Sequence, residues 1–259
     1  MTSFSFPIED SNCGESPVVL LLHGLGSDSS SWYYQVPVLT QAGFHPVALD
    51  LPGFGKSPFN EKKWTIPWVA QSLATWLSAI HARPVIVVGI SLGGTIALQF
   101  ALDFPLLVER LVLVNTFACL RPKHASELVY LVKRLAIANI KGIEYQAGLV
   151  AERLFPNEDQ DGLRRIVQEQ ILSSDHEVYR QAMLALGTFD VRRRLKEINL
   201  PTLVISAEQD TTVPLDNQAD LVKGIKGAKQ VIIPNSRHAV IVDQPELFNQ
   251  VLIQFLKQP

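Results

Sequence analysis

Val85-Ile-Val-Val-Gly-Ile-Ser-Leu-Gly-Gly-Thr-Ile-Ala-Leu98 decides how the rest of the chain is read. Val85 to Val88 are apolar and mostly β-branched, as in a strand buried on both faces. Gly89-Ile90-Ser91-Leu92-Gly93 matches the pattern Gly-x-Ser-x-Gly, and Thr95 to Leu102 reads as a helix. Strand, sharp turn and helix in that order are the setting in which the pattern carries chemical meaning. A serine on so tight a turn has strained backbone angles, and only hydrogen side chains at 89 and 93 let strand and helix approach. The Ser91 hydroxyl would stand at the C-terminal edge of a sheet, above a helix N-terminus that favours developing negative charge. Outside that setting the same residues are only a glycine-rich turn with an incidental serine.

A chain of 259 residues suits one larger α/β domain, or one carrying an insertion. Its formal charge of −2 gives no reason to expect nucleic acid or an anionic membrane as partner. Pro17 and His23-Gly24 bracket the apolar run Val18 to Leu22, far too short to span a bilayer. The N-terminus lacks a basic segment followed by an apolar one, so no secretory signal is expected. Cys13 and Cys119 lie far apart without metal-ligand spacing and read as free thiols in a reducing cytoplasm.

Outward from the central stretch, strand signals recur. Ser3 to Ile8 has room for a short strand; Val18 to Leu22 and Pro46 to Leu49 are buried ones, and Leu111 to Val114 follows the central helix. Trp32 to Ala42 reads as a helix. Pro67 opens another, at a position where a missing N–H costs nothing, with a buried stripe of Val69, Leu73, Trp76, Leu77 and Ile80. From Phe117 to about Gly187 the strand signals vanish, and charged and apolar residues share helical spacing, with Pro156 and Gly162 as breaks. Alternation then resumes with strand Pro201 to Ser206, helix Leu215 to Ile225, strand Gln230 to Ile233 and helix Pro245 to Leu256. The expected architecture is an α/β fold with a mostly parallel, doubly wound sheet. Its core is 1–117 and 188–259, with 118–187 inserted as a helical lid.

A serine hydroxyl is a poor nucleophile at neutral pH and needs a positioned base, commonly a histidine oriented by a carboxylate. In the order serine, acid, histidine, the chain offers Asp210 and His238, each just beyond the end of a strand on the Ser91 side of the sheet. Taken singly, Asp210 also fits a turn before Val213-Pro214, with Asp216 as the natural helix N-cap, and His238 fits a surface loop. Their joint placement with Ser91 is what points to chemistry. An oxyanion needs backbone donors, which contribute about 3 kcal/mol each to transition-state stabilisation. Leu92 N–H and Leu25 N–H are the candidates, the latter on a turn that Gly24 and Gly26 let approach the centre. His23 reads as an organiser of that turn. His45, His81, His124 and His176 have no motif context, no pair has metal-ligand spacing, and neither metal nor cofactor is expected.

His23-Gly24, Asp50-Leu-Pro-Gly-Phe-Gly-Lys-Ser57, Gly89 to Gly94, Asp210-Thr-Thr-Val-Pro214 and Ser236-Arg-His238 together resemble the α/β-hydrolase superfamily. Within it the chain is similar to the small-ester group containing the pimeloyl-carrier-protein methyl esterases and the 3-oxoadipate enol-lactonases. That resemblance implies Ser91 as nucleophile, His238 as base, Asp210 as its orienter, and Leu25 and Leu92 as oxyanion donors. The chain departs from the pimeloyl esterases in having Ile90, not tryptophan, before the serine. It carries Thr95 where the menaquinone-pathway lyases have arginine. Serine at 91 separates it from the epoxide hydrolases and haloalkane dehalogenases, whose nucleophile is aspartate.

The leading expectation is a serine hydrolase that cleaves a small carboxylic ester through an acyl-enzyme. Its pocket would lie between the Ser91 edge and the lid, with Leu25, Leu92, Leu131 and Leu135 as candidate substrate contacts. A lactonase or thioesterase would use the same residues, and a non-enzymatic receptor could keep the triad for recognition alone; turnover of esters separates these. Lys133, Arg134, Arg153, Arg164 and Arg165 could dock an acidic acyl-carrier protein, or form a solvated face balanced by Glu144, Glu152 and Glu169.

Overall fold

Six strands, β1 (Val18–Leu22), β2 (His45–Leu49), β3 (Val85–Ile90), β4 (Val108–Val114), β5 (Thr202–Ala207) and β6 (Lys229–Ile233), form one sheet in the order β2-β1-β3-β4-β5-β6. Every pairing is parallel. The computed structural model describes residues 16–80, 84–120, 129 and 142–258. The strand expected at Ser3 to Ile8 lies outside them.

Alternation along the strands splits the core in two. Leu20, Leu22, Val85, Val87, Leu111 and Leu113 pack with α2 (Ile66–Ala79) and α3 (Leu92–Asp103). Val19, Leu21, Ile86, Val88, Val112 and Val114 pack on the other side. Their partners there are Leu39 of α1 (Val36–Gln41) and Phe248 and Leu252 of α9 (Pro245–Leu256). With both faces covered, the strands show as apolar runs. The chain order reverses between β1 and β3, so the loops that leave these two neighbouring strands part there. In open α/β sheets a crevice for ligands forms at such a place.

Several local expectations are corrected. Trp32 to Ala42 is not one helix: a 3₁₀ turn covers Ser29–Trp32, and α1 starts only at Val36. Pro37 has no N–H to continue a helix from the preceding turn, and so sits in the first turn of a new one. Ile80 follows the end of α2 and is exposed, so it leaves the buried stripe. The central helix begins at Leu92, directly after the serine.

Between β4 and β5 the described elements are helical: α4 (Gly142–Leu154), α5 (Asp161–Ser173) and α6 (His176–Thr188), with a 3₁₀ turn at Glu158–Gln160. Gly162 does not break a helix; it is the second residue of α5, where lost helical bonding costs little. The helix α7 (Leu215–Gly224) starts after Pro214, with Asp216 inside its first turn and not at the cap. A short α8 (Val240–Asp243) precedes α9. No described helix is long and apolar enough to cross a membrane.

Candidate active site

Ser91 sits between β3 and α3 with φ 54° and ψ −114°. For a residue with a β-carbon that is a strained conformation, and it must be held from outside. Ser91 N–H donates to the Val114 carbonyl (3.0 Å), and Thr116 Oγ1 donates to the Ser91 carbonyl (2.8 Å). The glycines act as expected. A β-carbon at Gly89 would collide with the Gly93 backbone, and one at Gly93 with the Leu22 carbonyl. On Gly24 it would lie 3.7 Å from Ser91 Cβ, which measures how closely the turn after β1 approaches the serine.

Asp210 and His238 meet: His238 Nδ1 lies 2.8 Å from Asp210 Oδ2, and the carboxylate is fully buried. A carboxylate only accepts, so Nδ1 carries the proton of this bond, and Nε2 is the ring nitrogen left for the Ser91 side. The turn-closing role of Asp210 is real as well. Its Oδ1 accepts Thr212 N–H (2.8 Å) and Val213 N–H (2.9 Å), which fixes the carboxylate that faces the histidine.

Sequence reasoning passed over Asn115, which joins these loops. It is fully buried at the end of β4, with φ 43°. Its Nδ2 donates to the carbonyls of His238 (2.8 Å) and Arg237 (3.3 Å), and its Oδ1 accepts Ala207 N–H (2.7 Å). The dipeptide Asn115-Thr116 therefore bonds the serine turn, the histidine loop and the end of β5 that leads to Asp210. The one available signal was an asparagine at a strand end, a residue type that tolerates a left-handed backbone.

His23 organises the turn after β1, as expected. Its Nε2 accepts Leu51 N–H (2.9 Å) and its Nδ1 lies 2.8 Å from the Gly24 carbonyl, which ties the loops after β1 and β2 together. Complete burial pushes its imidazole below the ordinary value, only partly opposed by the Gly24 bond and the charge of Asp50. Asp50 holds the second loop. Burial would raise its carboxyl, but bonds from the N–H groups of Lys56 (2.8 Å) and Ser29 (2.7 Å) hold it below the usual carboxylate range.

Ser91 and His238 line one cavity of about 650 Å³, within the usual size range for small-molecule sites. Leu25 lines it; Leu92 does not. The Leu92 side chain, at the start of α3, is fully buried in the core. Val150, Leu154, Phe155, Leu163 and Ile166 from the helical segment wall the same cavity. Leu131 and Leu135, and likewise Lys133 and Arg134, lie outside the described residues. Arg164 is bonded to Asp161 and to the carbonyls of Phe155 and Asn157; Arg153, which donates to the Thr211 carbonyl, is among the residues that line the cavity.

A family model for the alpha/beta hydrolase fold matches residues 17–245. A protein of Klebsiella pneumoniae (strain 342), named a carbamate hydrolase, RutD, is 33% identical over 245 residues, 92% of this chain and 90% of that one. A pimeloyl-[acyl-carrier protein] methyl ester esterase of Aeromonas hydrophila is 26% identical over 253 residues, 94% of this chain and 96% of its own. Among solved structures, a hydrolase from Pseudomonas aeruginosa PA01 matches with a TM-score of 0.85 at 26% identity, covering 95% of this chain and 91% of that chain. With the matched residues running from before β1 into α9, the chain belongs to the alpha/beta hydrolase fold family.

Proposed function

We propose that this hydrolase-fold protein cleaves small carboxylic esters through an acyl-enzyme on Ser91. One observation carries the reading: Ser91, on its strained turn, shares a cavity with His238, whose Nδ1 is held by Asp210. Ser91 Oγ attacks the ester carbonyl while His238 Nε2 takes its proton. The tetrahedral oxyanion is received by the N–H groups of Leu25 and Leu92. Protonated His238 then gives the proton to the leaving alcohol, and water repeats the sequence on the acyl-serine.

The largely apolar wall suits an acyl chain, and the helices between β4 and β5 supply much of that wall, so the segment 118–187 acts as a lid that selects the acyl group. A carbamate, lactone or thioester presents the same carbonyl to the same groups and differs in what leaves; the relatives named for carbamate and methyl-ester hydrolysis span part of that range.

The test is turnover of p-nitrophenyl esters from acetate to dodecanoate, with lactones, thioesters and carbamates alongside, by wild type and Ser91→Ala. Ester hydrolysis that Ser91→Ala lowers by several orders of magnitude supports the reading. Binding of these compounds without turnover would make the protein a receptor, and loss of less than about a hundredfold in Ser91→Ala would remove the serine from the mechanism.

A further inference from the structure

The turn after β1, which carries Leu25, is tied to the core at two places. His23 Nδ1 lies 2.8 Å from the Gly24 carbonyl, and Ser29 N–H donates to Asp50 Oδ1 (2.7 Å). Between these anchors the turn meets the helical segment. A β-carbon on Gly26, at φ 73°, would lie 2.7 Å from Ile171 Cγ1 and 2.8 Å from Tyr179 Cε2, so α5 and α6 press on the residue next to Leu25. Asp175 N–H, between the two helices, donates to the Gly53 carbonyl (3.0 Å) and fixes the same corner to the loop after β2.

Gln170, in the last turn of α5, binds that stretch at three points. Its Oε1 accepts from Ser27 Oγ (3.1 Å), and its Nε2 donates to Asp28 Oδ1 (3.1 Å) and Ser30 Oγ (3.0 Å). A side-chain amide has two N–H donors and a carbonyl, and here all of them are directed at one turn. The bond to the Asp28 carboxylate is charge-assisted, the stronger kind. Gln170 lines the cavity together with Leu25, Gly26, Ser27 and Ser30, so the contact is made at the site itself.

We propose that Gln170 is a positioning residue for the oxyanion: it holds the turn that presents Leu25 N–H to the carbonyl attacked by Ser91. This rests on the ester-hydrolase reading, and it gives the helical segment a part in the chemistry besides the choice of acyl group. A donor stabilises a developing oxyanion because it is fixed before the charge forms. The core fixes Gly24 and Ser29, and Leu25 to Asp28 lie between them. Gln170 and the packing at Gly26 remove the freedom that remains there.

The experiment measures kcat and KM for p-nitrophenyl acetate, butyrate and octanoate in wild type, Gln170→Ala and Gln170→Glu, per mole of folded protein. The glutamate keeps the length of the side chain but sets an acceptor against Asp28. Both variants should lose about tenfold or more in kcat on all three esters, since a misplacement of about 1 Å lowers a rate by about a hundredfold. KM for the acetate should stay within about threefold of wild type. A residue that only touches the acyl chain would raise KM for the octanoate and spare the acetate. That result, or a kcat within about threefold of wild type in either variant, overturns the proposal.

Amide hydrogen exchange needs no substrate and so separates the turn from the ester reading. In Gln170→Ala the peptide covering Gly24 to Ser31 should exchange about threefold faster or more, with the peptide covering α2 unchanged. If wild type hydrolyses no ester but this difference appears, the hydrolase reading fails and the grip of Gln170 on the turn stands. Equal exchange in the two proteins, or a rise shared equally by α2, ends the proposal.

Discussion

Gly93→Ala should damage stability and rate together, because the closest approach in the elbow is between two backbones. The added β-carbon would land on the Leu22 carbonyl, 2.5 Å from its carbon and 2.7 Å from the His23 oxygen. Carbon contacts settle at about 3.5–4.0 Å, so α3 and the end of β1 must separate by about 1 Å. Neither can yield alone. Leu22 is paired with Leu49 on one side and Gly89 on the other, and α3 is buried from Leu92 to Leu102. Overpacking in a core costs about 1–3 kcal/mol when side chains can adjust, and here only backbone is available, so a loss of about 3 kcal/mol or more is expected. The same separation carries the turn bearing Leu25 away from Ser91, and a misplacement of about 1 Å lowers a rate by about a hundredfold. Gly148→Ala is the control: it lies within α4, nothing stands within 4 Å of the added carbon, and it should stabilise by about 0.5–1 kcal/mol. Urea unfolding of both variants, with p-nitrophenyl acetate kinetics on the folded protein, reads both effects. If Gly93→Ala stays within about 1 kcal/mol of wild type and within about threefold of its rate, the close approach is not what fixes the elbow.

Two further outcomes follow from the buried polar groups. Asn115→Ala removes bonds to the Arg237 and His238 carbonyls and to Ala207 N–H and leaves a β-carbon at φ 43°. It should lose about 2–4 kcal/mol in urea unfolding and lower kcat more than it raises KM, because the base is displaced and the cavity wall is not; an unaltered kcat would deny the residue its positioning role. His23 is buried with its pKa depressed from about 6.5. Protonation therefore favours the unfolded chain, and stability that is complete above about pH 6.5 is lost as pH falls below it, at up to about 1.4 kcal/mol per pH unit. The stability advantage of wild type over His23→Gln should narrow between about pH 7 and pH 5, and a constant gap would refute the assignment.

The parallel sheet was legible because its strands are covered on both faces and show as unbroken apolar runs. Where that signal weakens, the strand is longer than its apolar run: β4 starts at Val108, but Glu109 falls at a register shift and Arg110, paired with Ile86, interrupts the apolar pattern. Asp210 and His238 were legible because strand ends mark the ligand edge of such a sheet. Asn115 was not, since its partners lie 92 to 123 residues away and nothing local records them. Arg153 shares helical spacing with charged residues of both signs and so reads as part of a solvated face. Which side of α4 meets the cavity is decided by how the segment packs, and its own periodicity does not carry that information. The Leu92 side chain lies in the core for a related reason: a helix that starts directly after Ser91 turns its first side chain inward.

The most direct measurement asks whether Ser91 carries the acyl group. Enzyme mixed with p-nitrophenyl butyrate and quenched with acid within the first turnover should yield, by peptide mass spectrometry, one butyryl group on the peptide holding Ser91. Ser91→Ala should remain folded by circular dichroism, show no adduct there and release no burst of p-nitrophenol. Butyryl found on another residue, or steady hydrolysis by Ser91→Ala close to the wild-type rate, would contradict covalent catalysis at this serine.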